Sequence, residues 1–267
     1  MLLMPPTEPA LAPFVQSFGY LEAAIPYARE RVLPSGGMQL LVNLADDELL
    51  THHASGPRRH SGAVLQGPYD RPSVIDTAAQ RAIAWVTFHP GGAAPFFAEP
   101  SRLARGTLID LDALWGHDGA ALRERLLDAP TPRARLALLQ ASLLARARSL
   151  NPDPLIRYAV TALERGATVT DVTDRTGLLP KRFGRLFTDR LGLTPKRFAG
   201  VRRFQRLLTA IARSGAEPDF ARLAVEGGYY DQPHMIHDFQ RFAEMPPTAY
   251  RPRSVSTLNH VPLEEAG

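Results

Sequence analysis

From Thr194 to Arg213 (TPKRFAGVRRFQRLLTAIAR) apolar residues return every three or four positions. Phe198, Val201, Phe204, Leu208 and Ile211 form one stripe, which predicts a helix with a buried face. Thr194 followed by Pro195 is a cap residue with proline at the first helical position. Elsewhere the period divides the chain. From Leu11 to about Ile109 the pattern is of short runs broken by Gly and Pro. Residues 38–44, 63–66, 73–76 and 81–89 are the expected strands. In the last of these, Ile83, Trp85 and Thr87 share one face and Ala84, Val86 and Phe88 the other. Several such strands predict a small β-barrel or sandwich. After residue 90 the period lengthens. Helical pieces are expected at 93–98, 111–115, 117–127 and 131–148. The two prolines within 149–154 mark a domain boundary. Beyond it, 154–165, 170–175, 180–191, 195–213, 218–226 and 231–243 all read as helices, with a turn at 247–250. From Arg251 no pattern remains, and 254–267 is expected to be a flexible tail.

The helical part repeats itself. Residues 168–198 and 219–250 each hold a short helix, a glycine turn, a longer helix and a proline-led exit that ends on an aromatic residue. Gly177 answers Gly228, and Phe183 and Phe187 answer Met235 and Phe239. Pro195 and Phe198 answer Pro247 and Tyr250. The offset is 52 residues throughout, except 51 for the glycines. Each copy is a helix-turn-helix, and the glycine supplies a backbone state that other residues resist. Lys181, Arg182, Arg185 and Asp189 are left outside in the first copy. Gln232, His234, His237, Asp238 and Arg241 are left outside in the second. Arginine can pair bidentately with guanine and glutamine with adenine, so these are candidate base readers.

On these residues the span 153–251 resembles the two-headed DNA-binding domain of the AraC/XylS family. Gly177, Leu178, Phe183, Arg185, Leu186, Phe187, Gly192, Thr194, Pro195 and Phe198 carry the resemblance in the first unit. Leu223, Ala224, Gly227, Tyr229, Asp231, Gln232, His234, Phe239, Arg241, Pro247 and Tyr250 carry it in the second. The resemblance implies that helices 180–191 and 231–242 enter successive major-groove segments on one face of the duplex. It also implies an N-terminal domain that binds a small-molecule effector or pairs with a second copy. Three positions depart from the family's habit. His237 stands where arginine is usual, Glu244 where glycine is usual, and Leu179-Pro180 replaces a serine-led start. The turn at Glu244 is therefore expected to be strained or reshaped.

The resulting fold class is α+β. A β-barrel or sandwich-like sensor domain (1–110) and a helical, dimerising connector (111–150) precede an all-α domain of two helix-turn-helix units joined by a long helix (151–253). The expected DNA contacts are Lys181, Arg182, Arg185, Gln232, His234, His237 and Arg241, with Arg202 and Arg203 of the joining helix near the phosphates.

Charge supports the division. The net +4 falls wholly in 151–267, since 1–150 holds 14 arginines against 14 acids. The window 175–206 carries ten basic residues and one acid, Asp189. A patch of that kind suits a polyanion. Double-stranded DNA is the expected partner, with RNA polymerase, an effector and a second copy left open, and no membrane. The chain has no cysteine, which excludes thiolate chemistry and fits a reducing, cytoplasmic setting. The first residues lack the make-up of a signal peptide. No nucleophile, base and orienter set stands out, so a regulator without enzymatic activity or cofactor is expected. A metabolite-handling enzyme whose helical half makes only protein contacts is the alternative. His52, His53, His60 and His89 have no carboxylate at a ligand spacing, and Trp85 and Trp115 suit either a core or an effector pocket.

Overall fold

The computed structural model describes residues 1–53, 56–77, 80–215, 218–254 and 257–263. The N-terminal domain is built on two antiparallel sheets that do not close into a barrel. One sheet has the order β1-β2-β9-β4-β7-β10, formed by Leu2–Met4, Val15–Glu22, Ala82–Phe88, Gln39–Asn43, Ala63–Gln66 and Leu108–Asp110. The other has the order β11-β3-β8-β5-β6, formed by His260–Leu263, Arg29–Val32, Ser73–Asp76, Glu48–His53 and Gly56–Ser61.

The register of the first sheet separates two faces. Phe18 and Tyr20 of β2 lie opposite Val86 and Ala84 of β9, which lie opposite Leu40 and Val42 of β4. This face is buried under α1 (Leu111–Trp115), α2 (His117–Asp128) and α3 (Pro132–Arg146), and all of it forms one apolar core. Leu139 and Leu143 of α3 are fully buried there. The expected connector is thus part of the N-terminal domain, with its apolar stripe facing the sheet. Trp115 belongs to the same core, stacked on Phe97 and donating from Nε1 to the Phe96 carbonyl at 3.0 Å.

The opposite face holds Ser17, Thr87, Gln39 and Gln66 in one row and Gly19, Trp85 and Leu41 in the next. It looks toward the second sheet across a cavity. Residues 93–98, expected as a short helix, form turns over 93–96 and no helix beyond them.

Among the described residues the C-terminal domain has six α-helices: α4 (Pro154–Glu164), α5 (Val169–Thr176), α6 (Pro180–Leu191), α7 (Pro195–Arg213), α8 (Phe220–Glu226) and α9 (Gln232–Ala243). Most starts carry a cap. Asp153, Thr168, Thr194, Asp219 and Asp231 each accept from amides in the first turn, and Thr168 with Asp171 closes a reciprocal capping box. The first unit has its own core around Phe183, Phe187 and Phe198. The second is built on Phe204, Phe239 and Phe242.

The expectation of a flexible tail is corrected. His260–Leu263 pair antiparallel with β3 at the edge of the second sheet, and Val261 is buried. Val261 and Leu33 join the apolar core of the second helix-turn-helix unit, so burial fixes a strand that no sequence pattern announces. Residues 255, 256 and 264–267, also assigned to the tail, lie outside the described residues.

Candidate nucleic-acid interface and ligand cavity

The two helix-turn-helix units close through the same backbone device. Gly177 ends α5 at φ 66° and Gly228 follows α8 at φ 74°. No atom lies within 4 Å of where a Cβ would stand at either position, so the left-handed conformation, and not crowding, favours glycine there. Gly192 ends α6 at φ 79°. Its counterpart Glu244 ends α9 at φ 53°, the one non-glycine residue with positive φ among those described. The expected strain is present, and the turn keeps the left-handed conformation. A non-glycine residue there costs about 1–2 kcal/mol. Arg31 of β3 answers it by donating from Nη1 to the Ala243 and Glu244 carbonyls, both at 3.1 Å, which satisfies the end of α9 from the N-terminal domain.

The recognition helices present the expected side chains. Lys181, Arg182 and Arg185 are exposed on α6, and Gln232, His237 and Arg241 on α9. His234 is half-buried. Its Nδ1 accepts from the Tyr230 amide at 3.3 Å and its ring packs edge-on against Tyr229, so it helps shape the turn before α9. Asp189, the single acid of the basic window, is held by Arg102 of the N-terminal domain. That leaves the first turns of α6 uniformly positive.

Arg202 and Arg203, expected near the phosphates, are committed within the chain. Arg202 donates to the Ser35 carbonyl at 3.3 Å and pairs with Glu164 at 3.0 Å. Arg203 pairs with Asp238 at 2.6 Å and lies 4.5 Å over the Tyr229 ring. The same holds along much of α7. Arg197 reaches Asp70 at 2.9 Å, and Gln205 donates to the Pro34 carbonyl at 2.7 Å and to Asn259 Oδ1 at 2.9 Å. Arg197, Arg202 and Gln205 thus tie α7 to the N-terminal domain, while Arg203 pairs within the helical domain, roles that periodicity does not distinguish from a surface face.

A cavity of about 460 Å³ lies between the two sheets. Trp85, Leu41 and Ile83 line its floor, Val32, Leu49 and Ile75 face them, and Gln205 with Thr257–His260 forms one side. Of the two tryptophans, Trp85 lines this cavity and Trp115 is core. Near one edge, Glu30 is almost wholly buried. His260 Nδ1 lies 2.7 Å from its Oε1, while Arg253 (3.3 Å) and the Tyr27 hydroxyl (3.0 Å) donate to its Oε2. Burial pushes the Glu30 carboxyl up, but its contacts with His260, Arg253 and Tyr27 outweigh that and hold it below the usual carboxylate value.

Strands β3 and β11 are a common wall. Glu30, Val32 and His260 face the cavity. Arg31 and its cross-strand partner Val261 face the second helix-turn-helix unit. Sequence reasoning missed this set, since a charged RERV run and a proline-containing HVPL run carry no alternation signal. Among the described residues, no group of three His, Asp or Glu could hold a metal ion. The side chain of His53 lies outside the described residues.

Comparison with known proteins divides the chain in the same way. Residues 172–253 match the family model described as a helix-turn-helix domain, and residues 4–110 match a domain of unknown function (DUF6597). No curated protein matches the chain. Among solved structures it is similar to ToxT from Vibrio cholerae, at 8% identity over 87% of this chain and 97% of that one, with a TM-score of 0.48. ToxT bound to (E)-4-(8-methylnaphthalen-1-yl)but-3-enoic acid gives 8%, 90%, 99% and 0.48. Unsaturated fatty acid-bound ToxT gives 9%, 87%, 92% and 0.45. By these matches the chain carries a helix-turn-helix domain at 172–253 behind a domain of unknown function at 4–110.

Proposed function

We propose that this chain is a sequence-specific transcription regulator of the bacterial cytoplasm. Its two recognition helices read adjacent major-groove segments of double-stranded DNA, and a small-molecule effector in the cavity of its N-terminal domain controls that reading. The observation that supports the DNA reading best is the pair of units with exposed, polar first two turns: Lys181, Arg182 and Arg185 on α6, and Gln232 with His237 on α9. Phosphate contacts from the basic residues supply affinity, and arginine and glutamine supply base discrimination. His234 contributes by holding the entry of α9, while Arg241 lies farther along the same exposed side. Effector control is supported by the β3–β11 wall, where residues facing the cavity alternate with Arg31, which caps α9. RNA polymerase and a second copy are the protein partners such a regulator would meet.

Selection of bound sequences from a random DNA pool with the full chain tests the proposal. One enriched site with two short boxes about one helical turn apart is expected. Its affinity should fall steeply from low to moderate salt as counterions are displaced. No enrichment, or an affinity indifferent to salt, overturns it.

A further inference from the structure

The chemistry of the cavity selects a class of ligand. Its floor is laid out in rows fixed by strand register. Ser17, Thr87, Gln39 and Gln66 run across four strands as a polar row, with Gln39 donating to Thr87 at 3.1 Å. Trp85 and Leu41 form the next row, and Leu21 and Ile83 the one beyond, all lining the cavity. Gly19 lies opposite Trp85, and a Cβ there would stand 2.1 Å from the indole. Glycine therefore lets the ring lie across the strand, and the floor grades from neutral polar to aromatic and apolar.

Neutral hydrogen-bonding groups remain open toward the space. Trp85, Gln66 and Tyr69 line it and make no side-chain hydrogen bond among the described residues. Burial pushes the Tyr69 hydroxyl up to about 12, so it remains a neutral donor. The charged side chains among the described lining residues are Glu30, Arg253 and His260, and these already pair with one another. An ionic ligand would find no charged side chain there outside that cluster and would have to break it, which disfavours burying the charge. The volume lies within the range of small-molecule sites, roughly 300–1,000 Å³.

We propose that the cavity takes an uncharged molecule with an aromatic or apolar body and a neutral hydrogen-bonding end. The body lies over Trp85, Leu41 and Ile83, and the polar end over the Gln39–Gln66–Thr87 row. This rests on the reading of the N-terminal domain as an effector domain, and it is tested without DNA. The full chain, with its indole groups nitrogen-15 labelled, is titrated with 4-phenylphenol, biphenyl-4-carboxylate and 4-phenylbenzylammonium near neutral pH. The chain has two tryptophans, so Trp115→Phe assigns the Trp85 indole resonance, and in the parent chain Trp115 serves as internal control. Saturable movement of the Trp85 signal by 4-phenylphenol is expected, with the two ions at least tenfold weaker. Leu41→Trp should abolish the movement by filling the space. Should that variant fail to fold, Thr87→Val should weaken 4-phenylphenol several-fold while leaving the fold intact. Equal or tighter binding of either ion overturns the proposal, as does a Trp85 signal that none of the three moves. DNA binding by the same preparation, measured without probe, separates the two readings. If DNA binds and no probe does, the ligand class alone fails. If the phenol binds and DNA does not, the regulator reading fails and the cavity chemistry stands.

Discussion

At the scale of single residues, Glu244 joins two features of the chain. It occupies a left-handed position that its repeat counterpart gives to Gly192, and its carbonyl is one of two held by Arg31. Replacing it with glycine relieves about 1–2 kcal/mol of backbone strain. The added freedom of the unfolded chain takes back part of that. Glu244→Gly is therefore expected to stabilise the helical domain by about 1 kcal/mol, read as a rise of roughly 4–8 °C in its thermal midpoint. A lower midpoint would show that the glutamate side chain makes a contribution larger than the strain. The pair Arg203–Asp238 teaches a related lesson. Asp238 lies on a recognition helix and is polar, yet it is buried and faces Arg203 beside Tyr229. Residue type alone placed both on the outside.

At the scale of elements, α6 and α9 were legible because a buried stripe, a proline in the first turn and, for α9, a capped start are local properties. Even so, their exposed residues play unequal parts. Arg185 projects from the second turn of α6 with its side chain largely in solvent, where a bidentate pairing with guanine is geometrically open. Arg185→Ala should cost about 1–3 kcal/mol on the selected site and relax preference at one base pair. Lys181→Ala should instead weaken all duplexes alike and reduce the salt slope by about one. Gel shifts of both variants against single-base variants of the site decide the matter, and a sequence-independent loss for Arg185→Ala would place it on the backbone. Strands fared differently. β9 and β4 announced themselves through long apolar runs, whereas β2 did not. The cavity-facing side of β2 carries Ser17 and Gly19, so the apolar alternation that marks a half-buried strand is missing. β3 hides in the same way, with a buried glutamate where an apolar residue would signal a strand.

At the scale of the molecule, the tail ties the helical domain back to the N-terminal one. Arg253 and His260 hold Glu30, the Leu33 amide donates to the Asn259 carbonyl at 2.7 Å, and the Tyr250 hydroxyl donates to the Leu258 carbonyl at 2.6 Å. Val261→Asp buries an unpaired charge in the shared core and should release β11. Faster hydrogen exchange at the Leu33 amide and a lowered melting temperature are expected, while the two recognition helices keep their protection. Unchanged exchange at Leu33 would show that the strand does not depend on that burial. A fragment ending near residue 253 removes the same contacts, so its DNA affinity need not equal that of the full chain.

What the sequence determined by itself is local or repetitive: the period of α7, the paired glycines 51 residues apart, the caps, and the basic window between Arg175 and Arg206. Such signals survive in one dimension because helix periodicity, turn conformation and charge act over a few residues. The tertiary structure alone decided which polar groups are free. It turned Arg202, Arg203 and Gln205 of α7 inward against the N-terminal domain and its own neighbours. It also made a strand of His260–Leu263 and placed Trp85 over Gly19 in a cavity. Each of these depends on partners far away in the chain, and the free energy that fixes them comes from burial and pairing between segments that no local pattern connects.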